Sequence, residues 1–255
     1  MEPLLEVRNV CLSYHSMTGE TPALSHISFH LLPGEFLAIV GPSGCGKSTL
    51  LNLIAGLLEP EEGSITIKGQ SVSSQSCRIG YMLQKDHLLE WRTIYRNILL
   101  GLEIRRERSR ERLNDIEEML RTYGLDKFRN AYPSQLSGGM RQRAALIRTL
   151  ALNPELLILD EPFSALDYQT RLSVSDDIGR ILRTEKKPAI LVTHDIAEAI
   201  SMADRIILLS ARPATVKKII PIEFSMKNRT PLGCRNAPEF KDYFNLIWKE
   251  LNVHA

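Results

Sequence analysis

No apolar run in this chain approaches the roughly 18 residues needed to cross a bilayer. If a membrane is its place of work, it serves it from outside the lipid. Cysteine is scarce. No two of the four, Cys11, Cys45, Cys77 and Cys234, sit at metal-ligand or redox spacing, and such scatter fits a reducing compartment better than a disulfide framework. Excess charge is missing too: 32 Lys and Arg stand against 30 Asp and Glu, so nothing electrostatic marks nucleic acid as the main partner. Met1-Glu2-Pro3 has neither a basic start nor an apolar stretch, and no secretory signal is expected. Internal repeats and low-complexity stretches are absent as well.

What remains is an ordinary globular composition, 44% hydrophobic over 255 residues, enough for one large core or two smaller ones. Leu4–Val10, Ile27–Leu31 and Ile65–Lys68 are short β-prone runs between turn residues, predicting a small antiparallel element. Phe36–Val40 is a continuous apolar strand, followed by a loop and a helix carrying Leu50, Leu51, Leu53, Ile54 and Leu57. The stretch from Thr93 to Leu152 is helical in pattern. Its charge run Arg105–Arg112 reads as a solvated face or loop. The last third alternates strand Leu156–Leu159, helix from Asp167, strand Ala189–Thr193, helix from Asp195 and strand Arg205–Leu209, which implies a parallel sheet flanked by helices. Phe240, Tyr243, Phe244, Ile247, Trp248 and Leu251 recur at helical spacing in the tail and predict a helix docked on the core.

The loop after Phe36–Val40 carries chemistry. Gly41, Pro42, Ser43, Gly44, Cys45, Gly46, Lys47 and Ser48 fit G-x-x-x-x-G-K-S, with Thr49 following. Glycines let the backbone curl so that successive N–H groups face phosphate oxygens, and the next helix presents its positive end. Lys47 puts a point charge on the β- and γ-phosphates, and the Ser48 hydroxyl can ligate Mg²⁺. Average residue usage would produce such a pattern in about one chain in a hundred of this length. A glycine-rich turn with a surface lysine is the bland alternative, and the strand before and helix behind the loop argue against it. The loop alone leaves kinases, GTPases, recombinases and transport ATPases open.

Two further patterns narrow the field. Leu156–Leu159 ends in Asp160 and Glu161, at the carboxyl end of a parallel strand, where such sheets bind ligands. Asp160 can hold Mg²⁺ there, and Glu161 can orient or deprotonate an attacking water. Ser137, Gly138 and Gly139 open a helical stretch and offer a second anion-binding helix end, though a serine cap followed by two glycines would read the same way.

Together these residues resemble the ATP-binding-cassette (ABC) family. Gly41–Ser48 is similar to its Walker A loop, Leu156–Asp160 to its Walker B strand, and Leu136–Met140 to its LSGGQ signature with Met140 in place of glutamine. Ser164–Asp167 resembles the D-loop, His194 the switch histidine, and Gln84 the Q-loop glutamine; Tyr14 falls where the family stacks an aromatic on adenine. Capping and strand packing remain bland alternatives for His194 and Tyr14. The motifs follow the family's order over residues about 1–215.

The resemblance implies an α/β fold: a P-loop NTPase core with its parallel sheet flanked by helices, an antiparallel β subdomain and a helical subdomain. It implies a catalytic domain over about 1–220 with the helical subdomain at about 88–153, then a tail over 221–255. ATP and Mg²⁺ are the implied cofactors, with Glu161, His194 and Gln84 catalytic and Ser48, Gln84 and Asp160 on the metal. The implied assembly is a homodimer in which Ser137, Gly138, Gly139 and the D-loop residue Asp167 serve the partner's ATP. Integral membrane permease subunits, an extracytoplasmic substrate-binding protein and a place on the cytoplasmic face of the membrane complete it, with no nucleic acid. Lys85–Ile94, with Leu88, Leu89 and Trp91, either receives a permease helix or packs locally. Its wording resembles importers of nitrate, sulfonate, taurine or bicarbonate, with relatives that carry thiamine pyrimidine precursors. Nothing after Leu209 is long enough for an appended β-rich regulatory domain. Competing classes are a soluble cassette ATPase acting on nucleic acid or ribosomes, and a small-molecule P-loop kinase. The first usually needs two cassettes or a coiled-coil insertion, and the second has no use for the signature.

Overall fold

The computed structural model describes residues 2–17, 19–73, 79–226 and 229–252. Of the four cysteines, Cys77 lies outside them. The N-terminal half holds β1 (Leu5–Ser16), β2 (Gly19–Leu31), β3 (Phe36–Val40), α1 (Lys47–Ile54), β4 (Glu62–Ile67), β5 (Gln70–Ser71) and β6 (Ile79–Met82). Three helices follow, α2 (Ile94–Arg105), α3 (Arg110–Thr122) and α4 (Gly138–Leu150). Then come β7 (Leu156–Asp160), α5 (Tyr168–Thr184), β8 (Ala189–Val192), α6 (Ile196–Met202), β9 (Arg205–Leu209) and β10 (Val216–Pro221). The chain closes with α7 (Pro231–Arg235) and α8 (Pro238–Asn252).

Two sheets result. The antiparallel one runs β2-β1-β4-β5, with Leu5 opposite both Leu31 and Ile67, as the short β-prone runs predict. Its first two strands extend well beyond those runs, to Ser16 and back to Gly19, and β1 is bulged against both neighbours. The second sheet runs β10-β9-β3-β8-β7-β6, parallel throughout except for β10. Its strands β3 and β8 are buried at every residue, which is why they read as continuous apolar runs rather than alternating ones. The two-residue period still divides them. Ala38, Val40, Leu157 and Leu191 face a core built with the helices α2 to α6 and α8. Leu37, Ile39, Ile158 and Ile190 face α1 and the antiparallel sheet. Helices therefore cover one face, while α1 shares the other with β1, β2 and β4.

Local chemistry explains the ends. Thr93 and Ser109 cap α2 and α3 through their hydroxyls, and the charge run between these helices is an exposed turn closed by Arg106 at φ +57°. α1 stops at Ile54, so Leu57 lies past it and is exposed rather than buried. In α8, Ile247 is fully buried and Phe240, Tyr243, Phe244 and Leu251 pack against the core, but Trp248 faces solvent.

Candidate active site

The loop between β3 and α1 takes its shape from glycine. Gly46 sits at φ +119°, and a Cβ there would lie 3.0 Å from Leu24 Cδ2 and 3.1 Å from the Ala23 carbonyl oxygen. The turn delivers Lys47 to the first residue of α1. Its buried ammonium donates to the carbonyls of Gly41 at 2.8 Å and Pro42 at 2.9 Å, which holds the charge over the loop. The Tyr14 hydroxyl lies 3.0 Å from Thr49 Oγ1, so the end of β1 reaches the loop as well.

Beside the loop opens a cleft of about 370 Å³ lined by Ser43, Gly44, Gly46, Lys47, Ser48, Thr49, Gln84, Asp160, Glu161 and Arg212. Strand order accounts for this convergence. The neighbouring strands β8, β7 and β6 end, respectively, just before His194, at Asp160 and Glu161, and just before Gln84. Burial raises the Asp160 carboxyl above its usual range and the Glu161 charge adds to this. A hydrogen bond from the Tyr81 hydroxyl at 3.3 Å and the Lys47 charge pull it back. The same burial, with Asp160 nearby, pushes the Tyr81 phenol upward, so it stays a hydrogen-bond donor.

Glu161 occupies the left-handed region at φ +45°, a conformation costly for a side chain with a Cβ. Its backbone N–H donates to the Val192 carbonyl at 2.8 Å, which ties this turn to β8. One carboxylate oxygen lies 3.2 Å from His194 Nδ1, and the other accepts from Gln84 Nε2 at 3.3 Å. Gln84 also donates to Ser164 Oγ at 3.3 Å. The Ser48 hydroxyl, the Gln84 carboxamide and the Asp160 carboxylate offer hard oxygen donors around one cleft, a set suited to Mg²⁺.

Sequence reasoning missed Arg212 and Tyr81. Arg212 comes from the turn after β9, where no motif marks it, and its one signal is position beyond the carboxyl end of an expected strand. Ser137 and Gly138 are exposed and do not line the cleft of their own chain. Gly139 is buried, and a Cβ there would meet Val174 Cγ2 at 2.8 Å, so its size lets α4 approach α5. Ser137 caps α4, accepting from the Met140 N–H. Asp167 caps α5 from an exposed position, accepting from the Thr170 N–H at 3.0 Å, and hydrogen bonds from the Thr170 hydroxyl and then its N–H hold the carboxyl below the usual range.

A model of the ABC transporter family matches residues 24–164. The chain belongs to that family. The uncharacterized ABC transporter ATP-binding protein YtlC of Bacillus subtilis (strain 168) is 48% identical over 248 residues, 97% of this chain and 95% of that protein. The aliphatic sulfonates import ATP-binding protein SsuB of the same organism is 42% identical over 208 residues, 81% of this chain and 80% of its own length. The dimeric post-hydrolysis structure of the ATP-binding cassette MJ0796 with ADP and Pi matches at a TM-score of 0.73 and 31% identity, over 86% of this chain and 99% of that one. This cassette is thus an ATP-binding and ATP-hydrolysing subunit of the ABC transporter type. Among its described residues no helix is long and apolar enough to cross a membrane.

Two side-chain networks brace the cassette around its cleft. Arg141 on α4 forms a paired contact with Asp86, at 2.8 and 3.1 Å, and reaches Glu90 at 2.8 Å. Arg148 donates to the carbonyls of Asp86 and His87. The segment behind Gln84 is therefore pinned to the helix that Ser137 caps. Fully buried Asn97 holds the next stretch, accepting from the Leu89 N–H and donating to the carbonyls of Leu89, Arg92 and Thr93. Trp91 is 76% exposed beside it, so local core packing does not account for this side chain.

The second network lies under His194. Arg171 donates to the Leu166 carbonyl at 3.1 Å and pairs with Asp195 at 3.6 Å. Asp195 in turn caps α6 through the Glu198 N–H at 3.1 Å. Burial pushes the Glu198 carboxyl up to about 7, opposed by the Thr193 hydroxyl, aided by Asp195 and opposed again by Arg171 and Arg235. For an acid whose folded value is raised, the native state holds the extra proton. Stability then falls as pH climbs from the ordinary glutamate range to about 7 and levels off above it. The full loss is on the order of 3 kcal/mol. Glu198→Gln should abolish this slope and match or exceed the parent in stability at pH 8. Denaturant unfolding between pH 5 and 8 checks it, and parallel profiles for the two proteins would remove Glu198 as the source.

Proposed function

We propose that this chain energises an importer of small anionic solutes, of the sulfonate, taurine or nitrate kind, as one of two identical subunits that close head to tail around Mg-ATP. The catalytic domain spans about 1–220, with a helical subdomain over about 88–153 and a docked tail over 221–255. One observation carries the reading. Lys47, Gln84, Asp160 and Glu161 meet in one cleft while Ser137 and Gly138 stay exposed outside it, which supports a second copy bringing its helix end to the nucleotide. The dimeric state of MJ0796 supports the assembly, and the relative named for aliphatic sulfonate import supports the cargo class.

In this reading Tyr14 stacks on adenine, and the backbone of Gly41–Thr49 holds the phosphates. Ser48, Gln84 and Asp160 would hold Mg²⁺, which supplies charge neutralisation across the β- and γ-phosphate oxygens. Glu161 takes a proton from the attacking water, His194 and the partner's Ser137 bond the γ-phosphate, and Asp167 contributes from the D-loop. Losing that phosphate removes charge-assisted bonds between the two copies, which then part. Exposed Trp91 and the braced segment from Lys85 to Ile94 meet an integral permease at the cytoplasmic face of the membrane. An extracytoplasmic binding protein delivers the solute.

The test is reconstitution with permease and binding protein in vesicles, loading taurine, an alkanesulfonate, nitrate or a thiamine pyrimidine precursor in turn. ATP turnover should rise with one of the anions. Stimulation by the pyrimidine alone would overturn the anion assignment.

A further inference from the structure

Away from the nucleotide cleft, Cys11, His26 and Glu62 place one ligand atom each within 4.8 Å of one another, on three adjacent strands of the antiparallel sheet. We propose that this cluster is a binding site for a borderline divalent transition-metal ion, Zn²⁺ in the first instance.

The distances fit. A tetrahedral ion bonded to sulfur at about 2.3 Å and to imidazole nitrogen at about 2.0–2.1 Å sets the two ligand atoms about 3.6 Å apart. Cys11 Sγ lies 3.6 Å from His26 Nδ1. The backbone is built to bring them there. β1 is bulged on its β2 side between Val7 and Val10 and between Val10 and Leu12, and on its β4 side between Arg8 and Cys11. Bulges of this kind re-aim side chains. Asn9 at φ +48° and His26 at φ +50° both hold left-handed conformations across that irregularity. The third ligand comes from the register, because Cys11 stands opposite Glu62 on β4.

The surrounding polar groups suit the charge changes that binding needs. The His26 backbone N–H donates to Cys11 Sγ at 3.2 Å and fixes the sulfur beside the imidazole. Asn9 Oδ1 lies 2.9 Å from His26 Nδ1 and accepts a hydrogen bond from it in the Nδ1–H tautomer. On binding, the ion takes that proton's place, the imidazole passes to its Nε2–H tautomer, and the thiol proton leaves to solvent. A thiolate, an imidazole and one carboxylate select Zn²⁺ over Mg²⁺ or Ca²⁺, which prefer all-oxygen shells. The site shares no residue with the oxygen set around Ser48 and Asp160.

The test uses the full chain with Zn²⁺ or Co²⁺ alone, without nucleotide. Zinc should bind in one equivalent against a chromophoric chelator and raise the Tm, and cobalt should give a thiolate charge-transfer band. Three variants that spare the fold decide it. Cys11→Ser and Glu62→Gln are near-isosteric, and in His26→Asn the new residue tolerates the left-handed backbone. Cys11→Ser should abolish the band. His26→Asn and Glu62→Gln should each weaken zinc binding by more than the roughly 100-fold that an outer-shell partner is worth at most. All three should keep the parent's metal-free Tm and ATP turnover. Absence of stoichiometric binding, a band that survives Cys11→Ser, or indifference to Glu62→Gln would overturn the three-strand site.

Discussion

Glu161→Gln is expected to lower ATP turnover by about 10²–10⁴-fold, the range a positioned general base supplies, while nucleotide binding is retained. That span corresponds to roughly 3–5 kcal/mol of barrier. The substitution isolates chemistry from fold. Glutamine has the same shape and the same Cβ, so the left-handed backbone at this position is no worse off. Its amide can still hydrogen-bond His194 and Gln84, which now approach the two carboxylate oxygens at 3.2 and 3.3 Å. What disappears is an acceptor able to take a proton from water. With cleavage slowed and binding intact, the closed dimer should accumulate with ATP, visible as a doubled mass in size-exclusion chromatography. Turnover near the parent's would remove Glu161 from the role.

How much of this site could be read from the chain depended on whether the signal was local. The phosphate loop is one contiguous stretch whose glycines answer to a backbone requirement, and Asp160 and Glu161 announce themselves by ending an apolar strand. Gln84 and His194 have no such signal alone. They became legible because they follow other motifs in order, and the structure supplies the reason: three neighbouring strands end beside one another. Arg212 and Tyr81 escaped because chain crossings bring them in without a pattern of their own. The two faces of the parallel sheet were equally hidden, since burial on both sides erases the alternation that would separate them. β10 was missed because Val216–Pro221 is an edge strand carrying two lysines and ending in proline, a composition that protects edges and weakens the strand signal. The Cys11, His26 and Glu62 cluster was out of reach for a related reason: its residues converge only through strand register and bulges.

Mixing two inactive variants should restore activity if each nucleotide is held by two copies. In Lys47→Ala the phosphates lose their point charge, and nucleotide binding should weaken strongly, with turnover lost. In Ser137→Asp the helix is undisturbed, because aspartate caps as well as serine. Its charge, however, now opposes the γ-phosphate of the partner's ATP, so each pure protein should be inactive for a different reason. The two-fold arrangement makes the mixed dimer asymmetric in a useful way. One of its sites combines both defects, and the other pairs an intact phosphate loop with an intact signature. If subunits exchange freely in an equal mixture, half the dimers are mixed and about one site in four is whole. Turnover should rise toward that fraction of the parent's rate and depend on total protein concentration. A mixture as inactive as its components, or a Ser137→Asp protein that hydrolyses ATP normally by itself, would mean that each copy completes its own site, in conflict with Ser137 and Gly138 lying outside the cleft of their own chain.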